Sequence, residues 1–377
     1  MHRDTHSAPY LSRSYDVTNH FAKRFDTVGR QMAYKGKTRK DAISWQKKLR
    51  AKLSELLGMN TFERTKPRAK CHGREDMGSY WREDWTIHTE PDVIAPFYAL
   101  VPKDIKKGER RPAVICPHGH ASGGRKAPAG RTDIPVVAQL IAAYNYDYAV
   151  QLTRLGFITF AMDARGFGQR RIQSSNLQMD REDPAHPLDG SCHKLMIMSY
   201  PLGQTITGMW TWDLMRLVDY VETRTEINPK HIGCVGLSGG GLQTLYLAAL
   251  DSRIKASVVS GYFYGVKDSL IRMAAACDCN CVPNLWSYAD LGDIGGLIAP
   301  RGLLIETGDK DALNGASKDP LNGALENLNN VTMQVGYTRK IYKTMDSEEH
   351  LVHHVFPGEH RWCGTEALPW LKKQLSL

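Results

Sequence analysis

Long apolar runs are missing from this 377-residue sequence. No stretch approaches the roughly 18 residues a membrane-spanning helix needs, so no membrane partner is expected. The first thirty residues carry His, Arg, Asp and Lys throughout and hold no apolar core of a secretory signal. Cysteine is scarce, with eight in the whole chain, far below the density of a disulfide scaffold. Cys116 and Cys234 lie inside apolar runs, where reduced thiols act as small hydrophobes. A reducing, cytoplasmic setting is therefore expected. There is no phosphate-binding P-loop, and the glycines of Gly236–Gly241 are not spaced as a dinucleotide fingerprint, so no cofactor is expected. Hydrophobic residues at 42%, charged residues at 24%, 33 Gly and 18 Pro exclude a disordered, collagen-like or coiled-coil chain. The length exceeds what one compact core usually needs and is too short for three average domains.

The formal charge is +9, and its placement argues against a protein-wide nucleic-acid surface. Residues 1–70 hold 17 Lys/Arg against 6 Asp/Glu, while the rest holds 32 against 34. The excess is thus an N-terminal property, a solvated helical face or an arm that meets an acidic partner or a second subunit. Within it, DAISWQKKLRAKLSELL places Ile43, Leu49, Leu53, Leu56 and Leu57 at helical spacing, with Asp41 as N-cap and Gly58 as stop. One amphipathic helix cannot bury itself, so it must dock on the main domain or on another subunit.

From about Tyr80 the texture becomes alternating strands and helices. WTIHTE and IAPFYALVP read as an opening antiparallel pair, and RPAVICPHG as a strand buried on both faces. Then follow helix YDYAVQLTRLG, strand FITFAMDARG, helix GMWTWDLMRLVDYVETR, strand HIGCVGLS, helix GGLQTLYLAAL and the strands IKASVVSGYF, RGLLIETG and LVHHVFPG. This alternation predicts an α/β fold with a mostly parallel sheet, helices on both faces and right-handed crossovers. The expected organisation is a basic, partly helical extension over 1–79 and a catalytic domain over 80–377. Residues 121–145 and 166–205 fit neither pattern and read as insertions over the site.

Gly236-Leu237-Ser238-Gly239-Gly240 lies between a strand and a helix, the setting a nucleophilic serine requires. The flanking glycines leave room for a sharp turn that exposes Ser238 Oγ beside a helix N-terminus. A hydroxyl needs a base to take its proton. His360, in Gly358-Glu359-His360 after the last strand, is the favoured one, with His353 and His354 as rivals inside that strand. The base needs a carboxylate to orient it. Asp311 is favoured over Asp309 and Glu306, which lie nearer the end of strand RGLLIE. For a developing oxyanion the donors are the backbone N–H groups of Gly239 and of His120, with Gly119 second. His118 reads as a brace for that loop.

On these residues the chain resembles the α/β-hydrolase superfamily and, within it, the branch of acetyl-xylan-esterase-like and dienelactone-hydrolase-like proteins. The resemblance covers about Asp92 to the C-terminus. It rests on PHGH, Asp163-Ala-Arg-Gly-Phe-Gly168, GLSGGG, SGYF, LIAPRGLLIETGDKD and FPGEHRW. It implies an α/β-hydrolase fold and a small or carbohydrate-linked ester as substrate. Related deacetylases carry Arg-Gly-Gln-Gly where this chain has Arg165-Gly166-Phe167-Gly168, and often Gln where it has Gly239. Arg165 is expected to brace its loop.

Cys277-Asp278-Cys279-Asn280-Cys281 has no second ligand pair in sight, reads as pocket wall in the resembled branch, and no metal is expected there. Trp210, Trp212 and Trp286 read as core packing before sugar-stacking surface. The chain is therefore expected to be a serine esterase. Its triad would be Ser238, Asp311 and His360, its partner a small-molecule or oligosaccharide ester, and no nucleic acid is required. Amide cleavage and carbon–carbon bond hydrolysis use the same triad, and a binding protein acting through its basic arm is the remaining alternative. The arm and the insertions leave room for a homo-oligomer.

Overall fold

Strands and helices alternate along the chain as the apolar spacing predicts, in a computed structural model that describes residues 17–172, 188, 190–273, 277–315 and 328–377. The strands are β1 (Lys70–Asp76), β2 (Tyr80–Glu90), β3 (Val93–Pro102), β4 (Arg111–Ile115), β5 (Ile158–Met162), β6 (Ile227–Leu237), β7 (Ile254–Ser260), β8 (Gly302–Gly308) and β9 (Leu351–Phe356). They form one sheet in the order β1-β2-β3-β5-β4-β6-β7-β8-β9. β1, β2 and β3 pair antiparallel, and β3 pairs antiparallel with β5. From β5 to β9 every pair is parallel.

Central strands β5 and β8 are buried throughout, because helices cover both faces. Along β4, Ala113 and Ile115 join one core while Val114 and Cys116 join the other, as the two-residue period of a strand requires. Helices Ile206–Val221 and Gly239–Leu250 pack in the first core. Helices Tyr148–Arg154 and Ala367–Gln374 pack in the second. β1 escapes apolar patterning because all of its residues are exposed; KCHGRED forms an edge strand only by pairing with β2. The sheet therefore begins before the boundary expected at residue 80. The insertions contribute helices Pro135–Tyr144 and Cys192–Ser199, while 173–187 and 189 lie outside the described residues.

The basic N-terminal helix spans Arg39–Leu56 and docks on the main domain of its own chain. Ala42, Gln46, Leu49 and Leu53 form its buried face. Leu49, Leu53 and Leu57 are buried as expected, but Ile43 is 53% exposed, because the stripe reaches the first turns through Gln46 and Ala42. Its N-cap is Thr38, not Asp41: Asp41 is the third helical residue, and its carboxylate accepts from the Thr38 amide in a capping box. Gly58 ends the turn at φ +73°, and a Cβ there would lie 2.2 Å from the Gly203 carbonyl oxygen. Gln46 Nε2 donates to the Gly296 and Ala299 carbonyls at 2.9 and 2.8 Å, and Arg39 donates to the Met345 carbonyl at 2.9 Å.

Replacing Gln46 by Met keeps the volume but leaves two buried carbonyls unpaired, so stability falls by about 1–3 kcal/mol. The urea midpoint should drop with an unchanged slope. Ile43→Ser should move it by less than about 0.5 kcal/mol; the reverse ranking would contradict this docking.

Candidate active site

The site is built on the bend where β6 becomes helix Gly239–Leu250. Ser238 sits at φ 60°, ψ −122°, a region that L-residues rarely occupy. Its amide donates to the Ser260 carbonyl of β7 at 2.9 Å, which ties the bend to the neighbouring strand. Gly236 and Gly240 have no room for side chains. A Cβ on Gly236 would lie 2.4 Å from the Gly240 carbonyl, and one on Gly240 2.3 Å from the Pro117 oxygen.

Asp311 and His360 come together across the ends of β8 and β9. His360 Nδ1 and Asp311 Oδ2 are 2.7 Å apart, with Asp311 only 2% exposed. Asp311 Oδ1 accepts from the Leu313 amide at 2.8 Å, so the carboxylate is held at both oxygens. The rival carboxylates are engaged elsewhere. Asp309 accepts from the Gly358 amide at 2.8 Å and Glu306 from the Gly364 amide at 2.8 Å, each bracing the segment that carries His360. His353 lies 3.1 Å from Thr307 Oγ1, and burial pushes its pKa down to about 4. His354 lies 4.0 Å from Glu306.

The loop after β4 passes over the start of helix Gly239–Leu250. A Cβ on Gly119 would lie 3.1 Å from the Gly239 nitrogen, so the two segments are in contact. The Gly119 amide donates to the Tyr146 hydroxyl at 2.8 Å. Among the described residues, the amides of Gly239 and His120 donate to no protein acceptor. His118 braces the loop from beneath. Its Nε2 accepts from the Ala164 amide at 3.0 Å, which places the proton on Nδ1, 2.8 Å from the Gly119 carbonyl. Burial lowers its pKa, which keeps the ring neutral.

Arg165 also acts as a brace. It grips Asp213 through Nε and Nη2 at 3.0 and 2.8 Å and reaches Glu90 at 2.7 Å, while Arg170 meets the same Asp213 at 2.7 Å. Burial alone would raise the Asp213 pKa, but the two guanidiniums outweigh it and hold it at about 2. Phe167, where related deacetylases carry Gln, packs edge-on to His118 and His120, each at 5.3 Å.

Ser238, Gly239, His120 and His360 line one cavity of about 310 Å³. Its wall includes Tyr144, Tyr146, Tyr262, Tyr264, Cys277 and Cys279, and no Lys, Arg, Asp or Glu stands among the described lining residues. The tyrosines were not foreseen as site residues. Their signal was the alternation Tyr144, Tyr146, Tyr148 at the end of an insertion and the Tyr262–Tyr264 pair after β7. Trp210 is buried and donates to the Arg165 carbonyl, Trp212 stacks on Phe62, and Trp286 lies beside Phe21 and Phe25; none lines the cavity.

The cysteine run forms part of the cavity wall, as its sequence suggested. Cys281 is exposed, whereas Cys277 and Cys279 face His120. The ligand atoms of His120, Cys277 and Cys279 lie within 4.8 Å of one another. The imidazole in this group comes from the distant loop after β4.

Replacing Asp213 by Ala leaves two arginines, 11% and 7% exposed, without their shared partner. A loss of about 3–5 kcal/mol is expected, measured from chemical denaturation. A loss below about 1 kcal/mol, the usual worth of an exposed pair, would show that the network does not brace this loop.

Comparison with known proteins agrees with this architecture. Residues 10–314 match the family described as the Abhydrolase family. The chain is 30% identical over 224 residues to YtaP of Bacillus subtilis (strain 168), a protein provisionally named a hydrolase. That stretch is 59% of this chain and 67% of YtaP. Among solved structures, a Bacteroides fragilis protein provisionally named an acetyl xylan esterase superposes with a TM-score of 0.69 at 18% identity. The match covers 93% of this chain and 84% of that one. A glucuronoyl esterase from Solibacter usitatus superposes with a TM-score of 0.58 at 14% identity, over 89% and 94% of the two chains. With the family matched across most of its length, this chain belongs to the Abhydrolase family and has its α/β-hydrolase fold.

Proposed function

We propose that the protein is a serine esterase that hydrolyses small, uncharged carboxylic esters. One observation carries this reading: Ser238, on its strained bend, shares a cavity with an imidazole whose other nitrogen is 2.7 Å from a buried carboxylate. Ester preference is supported by the acetyl xylan and glucuronoyl esterases that share the fold. A small neutral substrate is supported by the cavity's size and by the absence of charged side chains among its described lining residues.

In the proposed reaction Ser238 Oγ attacks the ester carbonyl while His360 Nε2 accepts its proton. Asp311 holds Nδ1–H and stabilises the imidazolium that forms. The Gly239 and His120 amides, which have no other acceptor among the described residues, donate to the oxyanion beside the positive end of helix Gly239–Leu250. His360 returns its proton to the leaving alcohol. Water, deprotonated by the same ring, then releases the acid and regenerates the Ser238 hydroxyl.

Wild type should turn over p-nitrophenyl acetate faster than longer acyl esters and react with a fluorophosphonate probe. Ser238→Ala should lose both, with kcat reduced by about 10⁶. Asp311→Asn should retain the fold and lose about 10⁴ in kcat. Probe labelling without turnover of any ester, joined to cleavage of aminoacyl-nitroanilides or diketones, would move the substrate to amides or carbon–carbon bonds. A folded wild type that is never labelled would contradict the serine mechanism.

A further inference from the structure

Glu306 and His354 compete in sequence for places in the triad, and the proposed hydrolysis uses neither side chain. They are neighbours by register, since Glu306 of β8 pairs with His354 of β9 in the parallel ladder. Both side chains face the second core, two residues on from Leu304 and Val352, which pack there. The chain after His360 folds onto the same face and brings Cys363 and Glu366 with it. A carboxylate oxygen of Glu306, a ring nitrogen of His354 and the Cys363 sulfur lie within 4.8 Å of one another. Glu306 is 1% exposed, and its oxygens are aimed by the Gly364 amide at 2.8 Å and the Cys363 amide at 3.4 Å. His354 Nδ1 is the anomaly. It is buried and has no hydrogen-bond partner among the described residues, which is costly for a polar atom. Carboxylate oxygens of Glu306 and Glu366 are each 4.0 Å away, too far for a hydrogen bond. His120 Nε2, in the other group of histidine and cysteine, has the Cys279 thiol at 3.6 Å as its partner.

We propose that Glu306, His354 and Cys363 hold one zinc ion through a carboxylate oxygen, Nδ1 and the thiolate, with water in the fourth position and Glu366 beside it. An ion in the gap gives the orphaned nitrogen a partner. Ligand atoms about 2.0–2.3 Å from a tetrahedral zinc stand about 3.3–3.6 Å from one another, so the group has to draw in by about 1 Å. Side-chain rotation of His354 and Cys363, both partly exposed, supplies that movement. Nitrogen, sulfur and oxygen ligands together suit this borderline ion, whereas calcium and magnesium take oxygen alone. The amides that fix the Glu306 carboxylate are the outer shell such a site needs. Binding is ligand exchange without redox change: the Cys363 thiol loses its proton to solvent, one Zn–S, one Zn–N and one Zn–O bond form, and the ion sheds waters but keeps one. The ion ties β8 and β9 to the segment that leaves His360, and so restrains the base without meeting substrate. Ligands at 306, 354 and 363 match no spaced zinc motif, because strand register and not sequence spacing joins the first two.

The claim does not rest on the hydrolytic reading, and its test reads metal alone. Full-length protein, freed of metal with a chelator and kept reduced with a non-thiol reductant, is titrated with cobalt(II) and then with zinc. One equivalent of cobalt with a thiolate charge-transfer band and strong tetrahedral visible bands, displaced by zinc, is the expected result. Cys363→Ser should abolish the charge-transfer band. His354→Gln should weaken zinc binding by more than about 100-fold, the most that outer-shell changes usually cost. Cys277→Ser and Cys279→Ser, which leave these ligands intact, should change neither reading. Where a variant fails to fold, wild type supplies a second measurement. Zinc should protect Cys363 from alkylation, mapped by mass spectrometry, and leave the exposed Cys71 and Cys281 reactive. Reduced wild type that takes up neither metal would overturn the proposal. So would bands that vanish with Cys279→Ser but persist with Cys363→Ser, or Cys363 alkylated equally fast with and without zinc.

Discussion

The backbone of Ser238 lies where an L-residue is costly, by about 1–3 kcal/mol, and much of the molecule is arranged so that it stays there. β6 delivers the chain to the bend, β7 holds the Ser238 amide, and helix Gly239–Leu250 leaves at once in the opposite sense. Glycine at 236 and at 240 is a steric demand of that reversal, because the chain before the bend, the chain after it and the loop bearing Pro117 approach within what a single methyl group would occupy. Relaxing the bend would require β6 and β7 to separate, and both are buried over the residues that lead to their carboxyl ends.

Around that fixed point, the partners lie on loops and have to be restrained. The loop after β4 is held by the neutral His118 ring below it, by the Tyr146 hydroxyl at Gly119, and by Phe167 at its side. Phe167 stays in place because Arg165 and Arg170 converge on one buried carboxylate, Asp213, which lies on a helix across the core. His360 is restrained by a second group of carboxylates: Asp311 holds its ring, while Asp309 and Glu306 hold the backbone on either side. The three acidic residues that compete for the role in sequence thus divide one task between orientation and loop support.

Elements that run through the core were legible in sequence, because burial on both faces leaves a continuous apolar run and burial on one face leaves a period. Ser238, Asp311 and His360 were legible for a related reason: each lies just beyond such a run. What escaped was whatever the core does not pattern. β1 is exposed along its length, so pairing and not hydropathy makes it a strand. The first turns of helix Arg39–Leu56 were misread because Gln46 looks polar and yet is buried, satisfied by two carbonyls distant in sequence, whereas Leu49 and Leu53 are buried as their spacing predicts. The tyrosine wall and the meeting of Cys277 and Cys279 with His120 depend on where separate loops fold together, which local spacing does not record.

The central claim is that chemistry passes through the Ser238 oxygen. It is tested most directly by acid-quenching wild-type protein within milliseconds of mixing with an excess of p-nitrophenyl acetate and mapping the digest by mass spectrometry. The account predicts an acetyl group on the peptide that contains Gly236–Gly241, located on Ser238, at a level that rises as deacylation is slowed. An acetyl group confined to another residue, or turnover at full rate with no adduct at any quench time, would contradict it.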